Sequence, residues 1–180
     1  MNVEALTNMH RVLLQVERTP KLAEAFGLGS WAHAPAEQAA LWCDKLADIN
    51  EGAESSLELI PSCDTTACAC GYAAMDPWFR RQGFTFEPCG NTDYDLRLVA
   101  TDYHGITRVT EGWEAVETLF ELNEEQAQEL FSMSQYKWSD GEYMDEADIT
   151  PRHVIDRIEA MLEGKHHMIY PTKPPGYDDE

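Results

Sequence analysis

Three times along this chain a residue that caps helices stands directly before proline, at Thr19–Pro20, Asp76–Pro77 and Thr150–Pro151. An N-cap side chain accepts hydrogen bonds from the free N–H groups of a first helical turn. Proline at the first helical position gives up only an N–H that has no helical partner. Each pair therefore marks a helix start and restricts any helix arriving from upstream, so the chain is cut into short helices. Hydrophobic spacing agrees. Leu6, Met9, Leu13 and Val16 recur at three and four residues and predict a helix ending near Arg18, and Gly27 is the expected stop of the short helix that Pro20 opens. Pro35 precedes a third amphipathic segment with Leu41, Trp42, Cys43, Leu46 and Ile49 on one stripe.

Asp64, Thr65 and Thr66 are candidate caps for a helix running to about Met75, and Gly83 is a stop for the helix opened at Pro77. Between Leu96 and Thr110 the chain turns β-branched and partly alternating around His104–Gly105, which predicts a β-hairpin. Trp113, Val116, Leu119 and Phe120 predict the next helix. Asn123 with Gln126 has the spacing of a capping box for another, and Val154, Ile155, Ile158, Met161 and Leu162 give the last helix its inner face before Gly164. The fold class expected is mainly α (α+β): a compact helical domain of about six to eight short helices with one small β-hairpin. Residues 1–164 form a single acidic domain in this reading, and 165–180, with two His and several Pro and Gly, an extended or flexible tail.

Thirteen basic against 33 acidic residues give a formal charge of −20. That field repels phosphate backbones and anionic membrane surfaces, which argues against direct nucleic-acid or membrane binding, and it attracts basic proteins. Fifteen of the acidic residues fall between Glu111 and Gly164, against Lys137, Arg152 and Arg157. With charges interrupting the apolar residues of the N-terminus and no apolar run of membrane-spanning length, the expected location is the cytoplasm. Five cysteines in no disulfide framework agree with a reducing compartment.

The string holding Cys63, Ala67, Cys68, Gly71, Tyr72 and Ala73 resembles a motif of small uncharacterised proteins of bacteriophage and bacterial genomes, which carry Trp at the place of Tyr72. Leu119, Phe120, Leu122, Ala127, Leu130 and Phe131, followed by Thr150, Pro151, Val154 and Ile158, are similar to the C-terminal half of those proteins in the same order. The resemblance implies a phage or prophage origin and brings no reaction or catalytic residue with it.

Cys63, Cys68, Cys70 and Cys89 are the candidate metal ligands, for zinc or an iron–sulfur cluster, but their spacing is neither the zinc knuckle nor a ferredoxin pattern. Two residues two apart on a helix also point to different faces. The alternative reading makes Cys68 and Cys70 small buried hydrophobes in an alanine-rich packing helix, with no cofactor. His10, His33, His104, His153, His166 and His167 contain no helical pair of zinc-hydrolase type and read as solvent-facing imidazoles. From Ser139 to Asp148 the carboxylates Asp140, Glu142, Asp145, Glu146 and Asp148 fail the calcium-loop pattern. No nucleophile elbow, phosphate-binding loop or dinucleotide fingerprint is present in the sequence, which favours a binding role over an enzyme.

Tyr136, Trp138 and Tyr143 stand among these carboxylates, with Met144 beside them. Aromatics supply most interface energy and charge steers the partner, so this segment is the expected contact surface for a basic host protein, in the manner of an inhibitor or anti-defence protein. The competing reading is that the aromatics pin a long loop to the core. Two alternative functions are a structural or assembly subunit of a virion or replication machinery, and a cysteine-centred metal-binding or redox protein.

Overall fold

The computed structural model describes residues 1–28, 32–33, 66–88, 96–101, 109–165 and 170–174. Helix α1 (Val3–Arg18) buries Leu6, Met9, Val12, Leu13 and Val16, the face its spacing predicted. Asn2 caps it, accepting from the Ala5 N–H at 3.1 Å. The same residue donates from its backbone to Phe120 O at 2.7 Å and from Nδ2 to Leu119 O at 3.0 Å, satisfying carbonyls that end another helix. One polar side chain thus ties two helix ends together.

Helix α2 (Pro20–Glu24) starts at the predicted proline but stops three residues before Gly27. Gly27 serves the strand ladder instead: its N–H donates to Ala67 O, and Ala67 N–H donates to Ala25 O at 3.1 Å. A short antiparallel pair, β1 (Ala32–His33) and β2 (Thr66–Ala67), follows this ladder. Thr66 therefore belongs to a strand, and the cap of α3 (Ala69–Met75) is Cys68 rather than Asp64, Thr65 or Thr66. Helix α4 (Pro77–Arg81) is capped as expected, with Asp76 accepting from Trp78 N–H at 2.9 Å and Gly83 at φ 78° behind it. The predicted third helix and the loop from Asn50 to Ser62 lie outside the described residues.

Strands β4 (Leu96–Thr101) and β5 (Val109–Glu111) pair antiparallel, as the hairpin prediction requires, and the turn residues His104 and Gly105 are outside the described set. A strand that was not anticipated, β3 (Phe84–Pro88), widens the pair into a three-stranded sheet of order β3-β4-β5. Its Phe84 and Phe86 face inward while Thr85 between them is half-buried, a period-two pattern too short to stand out.

Helices α5 (Trp113–Phe120), α6 (Glu124–Phe131) and α7 (Pro151–Leu162) complete a mainly α (α+β) fold, seven α-helices with a small antiparallel sheet among the described residues. The capping box of α6 is present in both directions: Gln126 N–H to Asn123 Oδ1 at 2.8 Å and Asn123 N–H to Gln126 Oε1 at 3.1 Å. Helix α1 packs along α7 and also touches α2, α3 and α5, and α5 covers β4 and β5. Phe79, Phe84, Phe120 and Phe131 meet with ring centroids 5.4 to 6.1 Å apart, joining helix and sheet layers in one aromatic cluster.

Candidate partner-binding surface

After α6 the chain makes one 3₁₀ turn, Met133–Gln135, and then folds back on itself as a tight hairpin. Met144 N–H donates to Tyr136 O at 3.1 Å, Trp138 N–H to Glu142 O at 2.8 Å, and Gly141 N–H to Trp138 O at 3.0 Å. Gly141 sits at φ 92°, a backbone region that costs little only for glycine. Asp140 Oδ1 accepts from the Glu142 N–H at 3.0 Å and fixes the tip. The Asp140–Gly141 pair is a hairpin signal that the polar composition of this segment conceals.

A hairpin alternates its side chains, and that decides which aromatics reach a partner. Tyr136, Trp138 and Met144 point inward and are 2%, 4% and 4% exposed. Tyr136 Oη donates to Leu130 O at 2.6 Å and its ring lies under the Arg157 guanidinium, 3.6 Å from centroid to carbon. The Trp138 and His153 rings stand perpendicular, with centroids 6.5 Å apart. Tyr136 and Trp138, expected in the contact surface, are instead the buried support of the hairpin. Tyr143 points outward, 64% exposed, with the Lys137 ammonium 4.4 Å from its ring.

Arg157 on α7 fixes the base of the hairpin. Only 4% exposed, it donates through one terminal nitrogen to Glu129 O and through the other to Gln135 O at 2.7 Å, closing the C-terminal end of α6 onto α7. Burial pushes its pKa down, and the neighbouring Tyr136 and Glu129 offset part of that. Nothing in the sequence pattern singles out this arginine, which stands amid the apolar face of α7.

The carboxylates form an exposed rim. Asp140 and Glu142 flank the hairpin tip, Asp145 and Glu146 lead into a second 3₁₀ turn, Glu146–Asp148, and Asp148 is half-buried. Glu146 lies beside Gly27: a Cβ there would stand 2.8 Å from Glu146 Oε1, the far end of an exposed side chain. The Glu142 N–H bond, followed by the nearby Lys173 ammonium, holds the Asp140 carboxyl below the ordinary range. Lys173 belongs to the C-terminal segment expected to be extended or flexible: its Nζ stands 2.6 Å from Glu142 Oε2 and 3.2 Å from Asp140 Oδ2.

Cys68 and Cys70 are buried free thiols, while Cys63 and Cys89 lie outside the described residues. Because Cys68 is a cap rather than a helical residue, its Sγ turns back over the helix start, taking the Gly71 N–H at 3.4 Å. This corrects the expectation that the two thiols face apart. Burial pushes the Cys68 thiol up, but hydrogen bonds from Cys70 and Gly71 outweigh it and bring it below the ordinary thiol value. Burial pushes Cys70 well up, and its bond to Cys68 and the charge there add to the rise. Among the described residues no three His, Cys, Asp or Glu side chains converge as a metal ion requires. His10 pairs with Glu159 at 2.7 Å, and His153 is half-buried against Trp138.

The fold is thus a mainly α domain with a small sheet and an acidic hairpin pinned at its base by a buried arginine. Among the described residues no helix is long and apolar enough to cross a membrane. Compared with protein-family models, curated proteins and solved structures, the chain matches none.

Proposed function

We propose that this is a phage-encoded, non-enzymatic binding protein that works in the host cytoplasm by occupying a basic surface of a host protein, as an inhibitor or anti-defence protein. The observation that supports the reading is the construction of the hairpin. Its outer face offers Tyr143 among Asp140, Glu142, Asp145 and Glu146, while Tyr136, Trp138 and Met144 hold it from beneath. A surface fixed in advance loses little conformational entropy when a partner docks, and its charge raises the encounter rate with a basic one. The partner-binding set becomes Asp140, Glu142, Tyr143, Asp145, Glu146 and Asp148, with Tyr136 and Trp138 as supports.

Capture from host lysate tests this, with the full chain as bait beside a variant carrying Glu142→Gln, Asp145→Asn and Glu146→Gln. The reading expects a basic protein that is retained at low salt, released at high salt, and lost with the variant. Equal capture by both baits contradicts it.

A further inference from the structure

We propose that residues 170–174 are an autoinhibitory strap, in which Lys173 occupies in cis the carboxylates that a basic partner uses. This rests on the reading of the hairpin as the binding surface, and it supplies that surface with a regulator.

Three contacts place the strap on the hairpin. Pro171 O accepts from the Ser139 N–H at 2.9 Å, and two residues later the Lys173 ammonium reaches Glu142 and Asp140. Their exposures differ sharply: the Lys173 side chain is 12% exposed, whereas Glu142 and Asp140 remain 70% and 48% exposed. The lysine stem is therefore laid on the protein with its charge delivered to two oxygens that otherwise face water, as an incoming basic side chain would be. Pro171 and Pro174 bracket the segment and hold it extended, since each fixes φ and lacks an N–H. The strap thus shows the chemistry of the ligand it excludes: an extended segment delivering a cation to the hairpin tip.

The attachment is suited to exchange. Pairs with exposed carboxylates are weak and screened by salt, so a partner presenting several cations competes effectively. While the strap is closed, apparent affinity falls by the fraction of molecules that are open, and removing the latch restores it.

The test uses an end-capped nona-arginine peptide, fluorescently labelled, with the full-length chain at low salt. Lys173→Gln is compared with Lys21→Gln, which removes the same charge from the exposed end of α2. The expected result is affinity raised about three- to tenfold by Lys173→Gln and less than about twofold by Lys21→Gln, the ratio of the two gains being the reciprocal of the open fraction. In a second measurement, acetylation of Lys173 is followed by mass spectrometry as unlabelled peptide is added. Its reactivity should rise several-fold on saturation while that of Lys21 holds. Equal gains from the two variants, or a Lys173 that stays protected in the complex, overturn the strap while leaving the hairpin as binding surface. Peptide affinity unchanged by Glu142→Gln with Asp140→Asn removes the hairpin reading and the strap with it.

Discussion

Replacing Arg157 with Met tests the foundation of the hairpin, because methionine keeps an unbranched apolar stem and cannot donate. The guanidinium makes two bonds to backbone carbonyls, Glu129 O and Gln135 O, and covers the Tyr136 ring. Hydrogen bonds from a charged group contribute about 1.5–3 kcal/mol each, and a cation over an aromatic ring about 0.5–2 kcal/mol. Against this stands the cost of keeping a cation only 4% exposed, with Nε unbonded. Buried ions replaced by well-packed apolar groups often leave stability unchanged or raised. Two terms decide the sign here. Methionine leaves both carbonyls without their donor, at about 1–3 kcal/mol each, although water from the adjoining cleft can reach part of this region. That cleft, about 420 Å³ and lined by Asn123, Gln126, Glu129 and Ala160 among others, holds the estimate near its lower half. The net expectation is a loss of about 3 kcal/mol, or roughly 6–12 °C in Tm for a domain of this size. Arg157→Lys, which keeps the charge but not the fork, should lose about half as much. Urea titration and thermal scans followed by circular dichroism measure both. Stability within about 0.5 kcal/mol of the parent for Arg157→Met would show instead that desolvation balances the bonds.

Asn123→Ala removes one arm of the α6 capping box and should cost about 1 kcal/mol in urea-unfolding experiments, with Asn123→Gly losing only a few tenths. His153 gives the fold a pH dependence. Its Nδ1 accepts the Thr150 N–H at 3.1 Å, which requires the unprotonated ring, and burial pushes its pKa below the ordinary imidazole value, with Arg157 adding to the fall and Asp156 and Asp148 opposing it. A folded-state pKa below the unfolded one means that the unfolded chain binds more protons. The contribution is therefore complete above about pH 6.5 and is lost as pH falls through the folded value. Unfolding free energies measured at steps from pH 7.5 to pH 5 should fall more steeply for the parent than for His153→Gln, and parallel curves would contradict the assignment.

Helix starts were legible wherever a cap and a proline or an Asn–Gln pair coincide, because those signals act within one turn and do not depend on what packs nearby. Pro20, Pro77, Glu124 and Pro151 all begin helices where expected. The failures belong to longer-range causes. Gly27 looks like a helix stop but its N–H serves the ladder to Ala67, forty residues away. Thr66 has the chemistry of a cap and is drawn into a strand by pairing with His33. In the candidate site the carboxylates were visible as charge, whereas the inward turn of Tyr136 and Trp138 follows from a hairpin whose alternation is broken by its own tip. Lys173 reaches that tip across thirty residues, and no local pattern carries such a contact.

As proposed, the acidic hairpin by its position, rather than bulk charge, captures basic partners. Titration of capped nona-arginine tests this most directly, comparing the variant carrying Glu142→Gln, Asp145→Asn and Glu146→Gln with one that neutralises Glu4, Glu24 and Glu125, exposed elsewhere on the chain. The two proteins carry the same net charge. Affinity should be about tenfold weaker for the hairpin variant, a difference of about 1.4 kcal/mol, and within about twofold of the parent for the other. Equal losses from both would contradict this and assign the attraction to the field of the whole protein.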